Sequence, residues 1–219
     1  MAGSLIARRS SELAWLVTGP LALLAVSLLP VVAARAAHPV GDWVLGAVFS
    51  ALFVWADTVR MRFEVRRQSF GVTLNEIPLI LGLFLLPPVT LVLARVLATG
   101  INQLRRGVAP VKSAFNLAST AACTVLATMV VSMFQPLRAA EPTAWLGLYL
   151  AGLVAIFASF AAVTGVITLV QGKIAPKDAL TTFVTGVTVG LVNMTVAIVF
   201  LSSAGVQFVS EVYSMFNRS

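Results

Sequence analysis

The stretch that decides the fold is residues 76–95, which read EIPLILGLFLLPPVTLVLAR. It is an apolar run that is interrupted in its middle by Pro87 and Pro88. Tandem prolines remove backbone donors and force the preceding residue out of the helical region. The run therefore predicts two short helices, 77–86 and 88–104, and the first would extend only about 15 Å, half the thickness of a bilayer core.

The rest of the chain is as apolar as this stretch. The 219 residues are 59% hydrophobic and 11% charged, whereas soluble domains carry about 25% charged residues, which excludes a water-soluble enzyme. Outside 76–104, the charge-free runs predict membrane helices at about 13–34, 43–59, 113–137, 144–170 and 179–204, with a tail over 205–219. We expect one all-α domain over 1–219, a polytopic integral membrane bundle with about five full crossings and one broken re-entrant hairpin. The first run exceeds a secretory h-region of about 7 to 15 residues, so we expect it to stay uncleaved.

The distribution of basic residues sets the orientation. The net charge of +7 comes from clusters between the apolar runs, which is typical of the positive-inside rule rather than of nucleic-acid binding. If 76–104 begins and ends on the same side, that side receives Arg8, Arg9, Arg60, Arg62, Arg66, Arg67, Arg105, Arg106, Lys112, Lys173 and Lys177. The other side then receives only Arg35, Arg138 and Arg218. We therefore expect a re-entrant hairpin and a cytoplasmic N-terminus in a multi-pass bacterial plasma-membrane protein.

A different pattern precedes the hairpin. Over residues 61–74 apolar and polar residues alternate with a period of two, which favours a short β-hairpin at the cytoplasmic surface with its turn near 67–69. An irregular basic loop on lipid headgroups explains the segment equally well, because an isolated two-stranded hairpin is marginal. Thr73 and Glu76 have the spacing of a capping box, which would start the next helix near Asn75.

Residues 70–93, FGVTLNEIPLILGLFLLPPVTLVL, together with Arg95 and the later KSAFNL at 112–117, resemble one known family. This is the membrane-embedded N-terminal module of actinobacterial signalling proteins, which precedes cytoplasmic diguanylate cyclase, phosphodiesterase or related output domains. The flanking helices match only in hydropathy and in Asn193. The resemblance implies a sensory or regulatory module without catalysis of its own. Since no output-domain segment follows Asn193, we expect it to act on partner chains.

Three ionisable residues fall at or within bilayer depth, where each costs roughly 2.5 to 3.5 kcal/mol on insertion scales. They are Asp57, Glu76 and Arg95. Each has a structural explanation: Asp57 pairs with Arg60 three residues on, Glu76 caps a helix, and Arg95 extends its charge to the interface.

The functional hypothesis is that these charges mark a binding site. Glu76, Arg95 and Asn116 would converge on a cavity at the helix break formed by Pro87 and Pro88. Irregular backbone at membrane depth is tolerated where protein buries it or where a cavity admits water, so broken helices often mark binding sites. The occupant we expect is a small polar or amphipathic ligand.

Small residues on the last two helices indicate close packing. Gly186 and Gly190 form a GxxxG motif near Asn193, and the preceding helix carries Ala158, Ser159, Ala161 and Ala162. Such surfaces let helices approach and hydrogen-bond. They fit either packing within one chain or a homodimer interface, and we expect Asn193 to bond a neighbouring helix rather than a substrate.

Catalytic and metal sites are not indicated. The one histidine, His38, stands only near Asp42, which is too sparse for zinc, and the one cysteine, Cys123, allows neither an intrachain disulfide nor a thiolate cluster. We expect no catalysis and no cofactor. The partners we expect are membrane lipids and either further copies of the chain or other membrane proteins.

Three functions therefore remain open. The first is a sensory module that docks partners through Arg60, Arg62, Arg66, Arg67, Arg105, Arg106 and Lys112. The second is an accessory or structural subunit of a larger membrane complex, and the third is a solute transport component.

Overall fold

A computed structural model describes residues 2–35, 43–65, 68–138, 141–172 and 175–203. Within these ranges it contains seven α-helices and one pair of β-strands. The order is α1 (Ala2–Arg35), α2 (Trp43–Thr58), β1 (Arg60–Val65), β2 (Gln68–Thr73), α3 (Glu76–Leu85), α4 (Pro88–Arg105), α5 (Pro110–Ser132), α6 (Pro142–Gln171) and α7 (Pro176–Ser202). The prediction of a mainly helical chain is confirmed for these residues.

Four helices in the described part of the chain are long and apolar enough to cross a membrane. They contain the segments Glu12–Ala34, Pro110–Ser132, Pro142–Val170 and Ala179–Ser202. Such segments support a membrane location. The apolar helices α2 and α3 are shorter, with 16 and 10 residues.

The chain breaks between α3 and α4, at the tandem prolines. Leu86 is extended, with φ −104° and ψ 144°, and Pro87 follows with φ −58° and ψ 147°. Pro88 is the first residue of α4, a position that suits proline because the first turn needs no backbone donor. The two prolines thus end one helix and start the next within two residues.

After this break the chain runs in α4 towards the end of the bundle at which α2 ends. Near their starts α2 and α4 meet at Gly46 and Thr90, and at their ends Asp57 and Arg106 form an ion pair of 2.7 Å, so the two helices run parallel. Asn75, just before α3, lines the same cavity as Arg106, just after α4. The residue before α3 and the residue after α4 therefore border the same cavity.

Helix α3 forms the centre of the core. Leu79 is 2% exposed and Ile80 is fully buried, and Ile80 contacts α6 beside Gly152, where Met194 of α7 also packs. A helix that is apolar all round is stable when it is buried all round. At 10 residues α3 extends about 15 Å, whereas the 18 residues of α4 extend about 27 Å.

The strands β1 and β2 pair antiparallel, with Phe63 opposite Phe70 and Val65 opposite Gln68. The connection is therefore residues 66–67, which lie outside the described ranges. The turn predicted near 67–69 falls partly on these residues, and its position 67 lies outside the described ranges.

Two helix boundaries differ from the predictions by about five residues or more, and the others by about three or fewer. Helix α5 ends at Ser132 rather than at 137, because Pro136 lacks a backbone donor and disfavours helical geometry at the residue before it. Helix α1 begins at Ala2 rather than at 13, since charged residues do not break a helix in the way that proline does. Its 34 residues extend about 51 Å, well beyond a bilayer core of about 30 Å.

The contact between α2 and α4 can be tested with Gly46→Ala. The new Cβ would lie 2.7 Å from Cγ2 of Thr90, a buried and β-branched side chain that is stiff about χ1. We expect a loss of about 1 to 3 kcal/mol in the free energy of unfolding, from overpacking. Gly165→Ala on α6 is the control, because nothing lies within 4 Å of its Cβ position. Thermal unfolding in detergent should lower Tm for G46A only, and equal Tm values would contradict the parallel packing.

Candidate functional site

A polar cavity of about 290 Å³ lies between α2, α4, α5 and α6, beside the start of α3. Its polar lining residues include Asp57, Asn75, Arg95, Asn102, Arg106 and Asn116. Polar walls at membrane depth are expensive unless water or a ligand is present, which makes this cavity the candidate site.

Arg95 carries the charge at the inner part of this cavity. Its Nη1 donates a hydrogen bond of 3.0 Å to Oγ1 of Thr124, and its guanidinium lies over the ring of Phe53, 5.8 Å from the centroid. Thr124 is about 14 residues after the start of α5 and about 8 before its end, that is about 21 Å and about 12 Å along the axis. Arg95 therefore lies well inside the bundle, and no carboxylate among the described residues is within 4.0 Å of it.

Glu76 is the first residue of α3, and its side chain bonds to α7. Its Oε2 accepts a hydrogen bond of 2.9 Å from Nδ2 of Asn193 on α7, and its charge attracts that of Arg95 from a greater distance. The capping box predicted for Thr73 and Glu76 is wrong: the residue before α3 is Asn75, with no side-chain capping bond. The Glu76 carboxylate is directed across to α7 instead.

An ion pair lies where α2 and α4 end. Arg106 Nη2 is 2.7 Å from Oδ2 of Asp57 and donates to its backbone carbonyl at 3.0 Å. The prediction paired Asp57 with Arg60, but α2 ends at Thr58 and Arg60 begins β1, so helical spacing does not apply. Both members of the observed pair line the cavity, and we call this end its mouth.

Two side-chain oxygens at the cavity wall lack a hydrogen-bond partner in the described structure. They are Oε1 of Gln103 and Oδ1 of Asn75, and both are shielded from solvent. An unsatisfied buried acceptor costs about 1 to 3 kcal/mol. Neighbouring Asn102 donates to the carbonyl of Val54 at 3.5 Å, a long bond. The described cavity wall therefore offers two side-chain carbonyl oxygens that can accept hydrogen bonds.

The structure brings together part of the predicted site. Arg95 and Asn116 line the cavity, and Glu76 lies beside it without lining it. Pro87 and Pro88 are not among the described lining residues, because Arg95 is seven residues beyond Pro88 and so about 10 Å down α4. The prolines shape the hairpin, and residues of α4 and α5 line the cavity.

Several lining residues were missed in the sequence, although a signal for them exists. On α4 and at the residue that follows it, the polar positions recur at intervals of three and four, which places them on one helical face. They are Arg95, Thr99, Asn102, Gln103 and Arg106. A polar face inside an otherwise apolar helix predicts a wet cavity.

The structure describes the side chains of some of the predicted docking residues. Arg105 and Lys112 are exposed at the ends of α4 and α5, whereas Arg106 is held by Asp57. Arg60 and Arg62 lie in β1, and residues 66–67 lie outside the described ranges.

The two glycines of the predicted GxxxG motif, Gly186 and Gly190, lie in different environments. At Gly190 an added Cβ would collide with Ile156 of α6, so this glycine serves packing within the chain. At Gly186 nothing lies within 4 Å. On α6, Ala162 is buried and Ala161 is exposed, while Ser159 lines the cavity. Asn193 bonds the neighbouring α3, as its predicted role required.

Comparisons with known proteins give no indication of function, so the function is argued from the geometry of the site. No family model matches the chain, and no curated protein or solved structure is significantly similar to it. In the described ranges no group of three His, Cys, Asp or Glu side chains is placed to hold a metal ion. His38 and Asp42 lie outside those ranges, and Cys123 is buried with its Sγ 4.0 Å from Oγ of Ser119.

The link between Glu76 and Asn193 can be measured by a double-mutant cycle. Asn193→Ala removes a donor from a partly buried carboxylate, so we expect a loss of about 1 to 3 kcal/mol in unfolding free energy. Glu76→Ala should cost less after Asn193 is already Ala, with a coupling of about 0.5 to 3 kcal/mol. Additive effects in chemical or thermal unfolding would contradict the bond. The control cycle pairs Asn193→Ala with Arg138→Ala, an exposed residue, and should be additive.

Proposed function

We propose that this chain is a non-catalytic sensory or regulatory module of a bacterial plasma membrane. It binds a small polar ligand in the cavity beside the broken hairpin. It passes the bound state to partner proteins through its basic cytoplasmic surface. The resemblance of residues 70–93, Arg95 and residues 112–117 to the membrane module of actinobacterial signalling proteins supports this proposal.

One observation carries the proposal. Arg95 lies deep among apolar helices, faces a polar cavity, and has no carboxylate of the described residues within 4.0 Å. A permanently charged guanidinium in such a place normally has a partner or faces water. A structural arginine would be matched by an acid, whereas a cavity beside an unmatched one is suited to an incoming ligand.

The membrane topology in this proposal has five crossings, α1, α2, α5, α6 and α7, with α3 and α4 as the re-entrant hairpin. Because α4 ends beside α2 at Asp57 and Arg106, both ends of the hairpin then face the cytoplasm. This arrangement places the predicted cluster of eleven basic residues inside and satisfies the positive-inside rule. The mouth of the cavity opens on the same side.

Signal transfer would use the bonds that tie the cavity to separate helices. Arg95 links α4 to α5 through Thr124, and the Asp57–Arg106 pair links α4 to α2 at the cytoplasmic ends. A ligand on Arg95 competes with Thr124 and with the attraction of Glu76. A ligand shifts a conformational equilibrium only through different affinities for the two states, and these bonds supply such differences.

A second candidate, an accessory subunit of a larger membrane complex, is favoured by the open surface at Gly186. No atom of the described residues outside its own helix lies within 4 Å of its Cβ position, on a helix face where small residues allow close approach of another helix. The third candidate, transport, would use the broken hairpin as part of a route. Stoichiometric copurification with other chains favours the subunit, and solute uptake by proteoliposomes of this chain alone favours transport.

The sensory proposal is tested by Arg95→Ala. Native mass spectrometry of the chain released from membranes should show a small bound molecule on the wild type. The loss of a charge-assisted hydrogen bond, about 1.5 to 3 kcal/mol, should reduce occupancy by roughly tenfold or more in R95A. Arg138→Ala removes the same charge from an exposed site, 72% accessible, and should keep the molecule. A chain that carries nothing, or that carries the same molecule in both variants, would contradict ligand sensing at this site.

A further inference from the structure

The chemistry of the cavity also defines the class of ligand, an inference that rests on the proposed function. Among the residues whose side chains the structure describes, three charged ones line the cavity: Arg95, Asp57 and Arg106. The last two neutralise each other at 2.7 Å, at the mouth. The remaining charge is the positive charge of Arg95, so the inner part of the cavity attracts an anion.

The free donors of Arg95 point to the same conclusion. A guanidinium has five N–H donors in a planar fork that suits carboxylate and phosphate oxygens. In the described structure one side-chain hydrogen bond is made, from Nη1 to Thr124 at 3.0 Å. The carboxylate of Glu76, whose charge attracts that of Arg95 from a distance, is already bonded to Asn193 at 2.9 Å.

A second requirement comes from the two unsatisfied acceptors. Among the described residues, none donates a hydrogen bond to Oε1 of Gln103 or Oδ1 of Asn75, and Gln103 is only 8% exposed. They come from the end of α4 and from the residue before α3, so both flank the mouth side of the cavity. A carbonyl oxygen is satisfied by an N–H or O–H donor. The ligand must therefore carry such a donor at the end opposite its anion.

The volume limits the size. The cavity has a volume of about 290 Å³, which suits a small ligand. An amino acid, a hydroxy acid or a phosphoethanolamine group is of this size.

We propose that the ligand is a small anion with at least one N–H or O–H donor, its anionic group on Arg95 and its donor on the amide oxygens of Gln103 and Asn75. The same chemistry exists in two sources, a free carboxylate of the amino-acid or hydroxy-acid type and the head group of phosphatidylethanolamine. The two sources are separated by the test.

The first arm of the test uses the detergent-purified full chain and soluble probes. Each small amino acid and hydroxy acid is compared with its N-trimethyl or O-methyl counterpart, which keeps the anion but lacks the donor. We expect at least one probe to raise Tm, and its counterpart to bind about tenfold more weakly or less.

The second arm places the chain in nanodiscs. Phosphatidylcholine and phosphatidylethanolamine share the phosphate anion, and only the second has N–H donors. A rise in Tm when phosphatidylethanolamine replaces half of the phosphatidylcholine, with no effect of the soluble probes, assigns the head group as the source. A rise with a soluble probe in phosphatidylcholine alone assigns a free ligand.

Two variants link either response to the cavity. Arg95→Gln should abolish the stabilisation. Gln103→Leu removes a buried acceptor, so it should raise Tm of the empty protein while the preferred probe binds about tenfold more weakly and its methylated counterpart binds unchanged. This second variant keeps the test decisive if Arg95→Gln does not fold.

The outcomes that overturn the inference differ from those that overturn the function. Equal binding of a probe and its counterpart, or no stabilisation in either arm, overturns the ligand class. If native mass spectrometry nevertheless shows an Arg95-dependent molecule of other chemistry, the sensory function stands without this class. If no molecule depends on Arg95, both fall together.

Discussion

The structure depends on one constraint, the need to accommodate the guanidinium of Arg95 deep among apolar helices. A permanent charge at bilayer depth costs roughly 2.5 to 3.5 kcal/mol or more, so the surroundings must offset it. Thr124 supplies a hydrogen bond, the ring of Phe53 supplies a cation–π contact, and the distant charge of Glu76 supplies attraction. The part of the Arg95 charge that these contacts do not offset faces the polar cavity, where a ligand can bind.

The tandem prolines make this arrangement geometrically possible. Because α3 is only 10 residues long, its start lies well inside the bundle, and Glu76 reaches Asn193 near the middle of α7. The longer α4 returns beside α2 and carries its polar face down to the Asp57–Arg106 pair. A single straight helix over the same residues would separate Glu76 from Arg95 by about 28 Å, and neither the attraction nor the cavity could form.

The helix break and the long apolar helices could be predicted from the sequence, but the contacts between neighbouring helices could not. Proline chemistry placed the break at Pro87 and Pro88, and charge-free length located the four long apolar helices. The partner of Asp57 was missed because hydropathy does not say which helices lie side by side. The polar face of α4 was present in the residue spacing, but its depth became visible only when α5 was packed against it through Thr124.

The most direct test is to determine on which side of the membrane each end of residues 76–105 lies. With Cys123 replaced by Ala, single cysteines at Thr58, Arg105 and Gln135, all exposed at helix ends or between helices, are treated with a membrane-impermeant maleimide. Return of the chain predicts that T58C and R105C stay unlabelled in intact cells and react after permeabilisation, whereas Q135C reacts at once. Labelling of T58C and R105C from opposite sides would show that residues 76–105 cross the membrane, and the cavity at Arg95 would lose its structural basis.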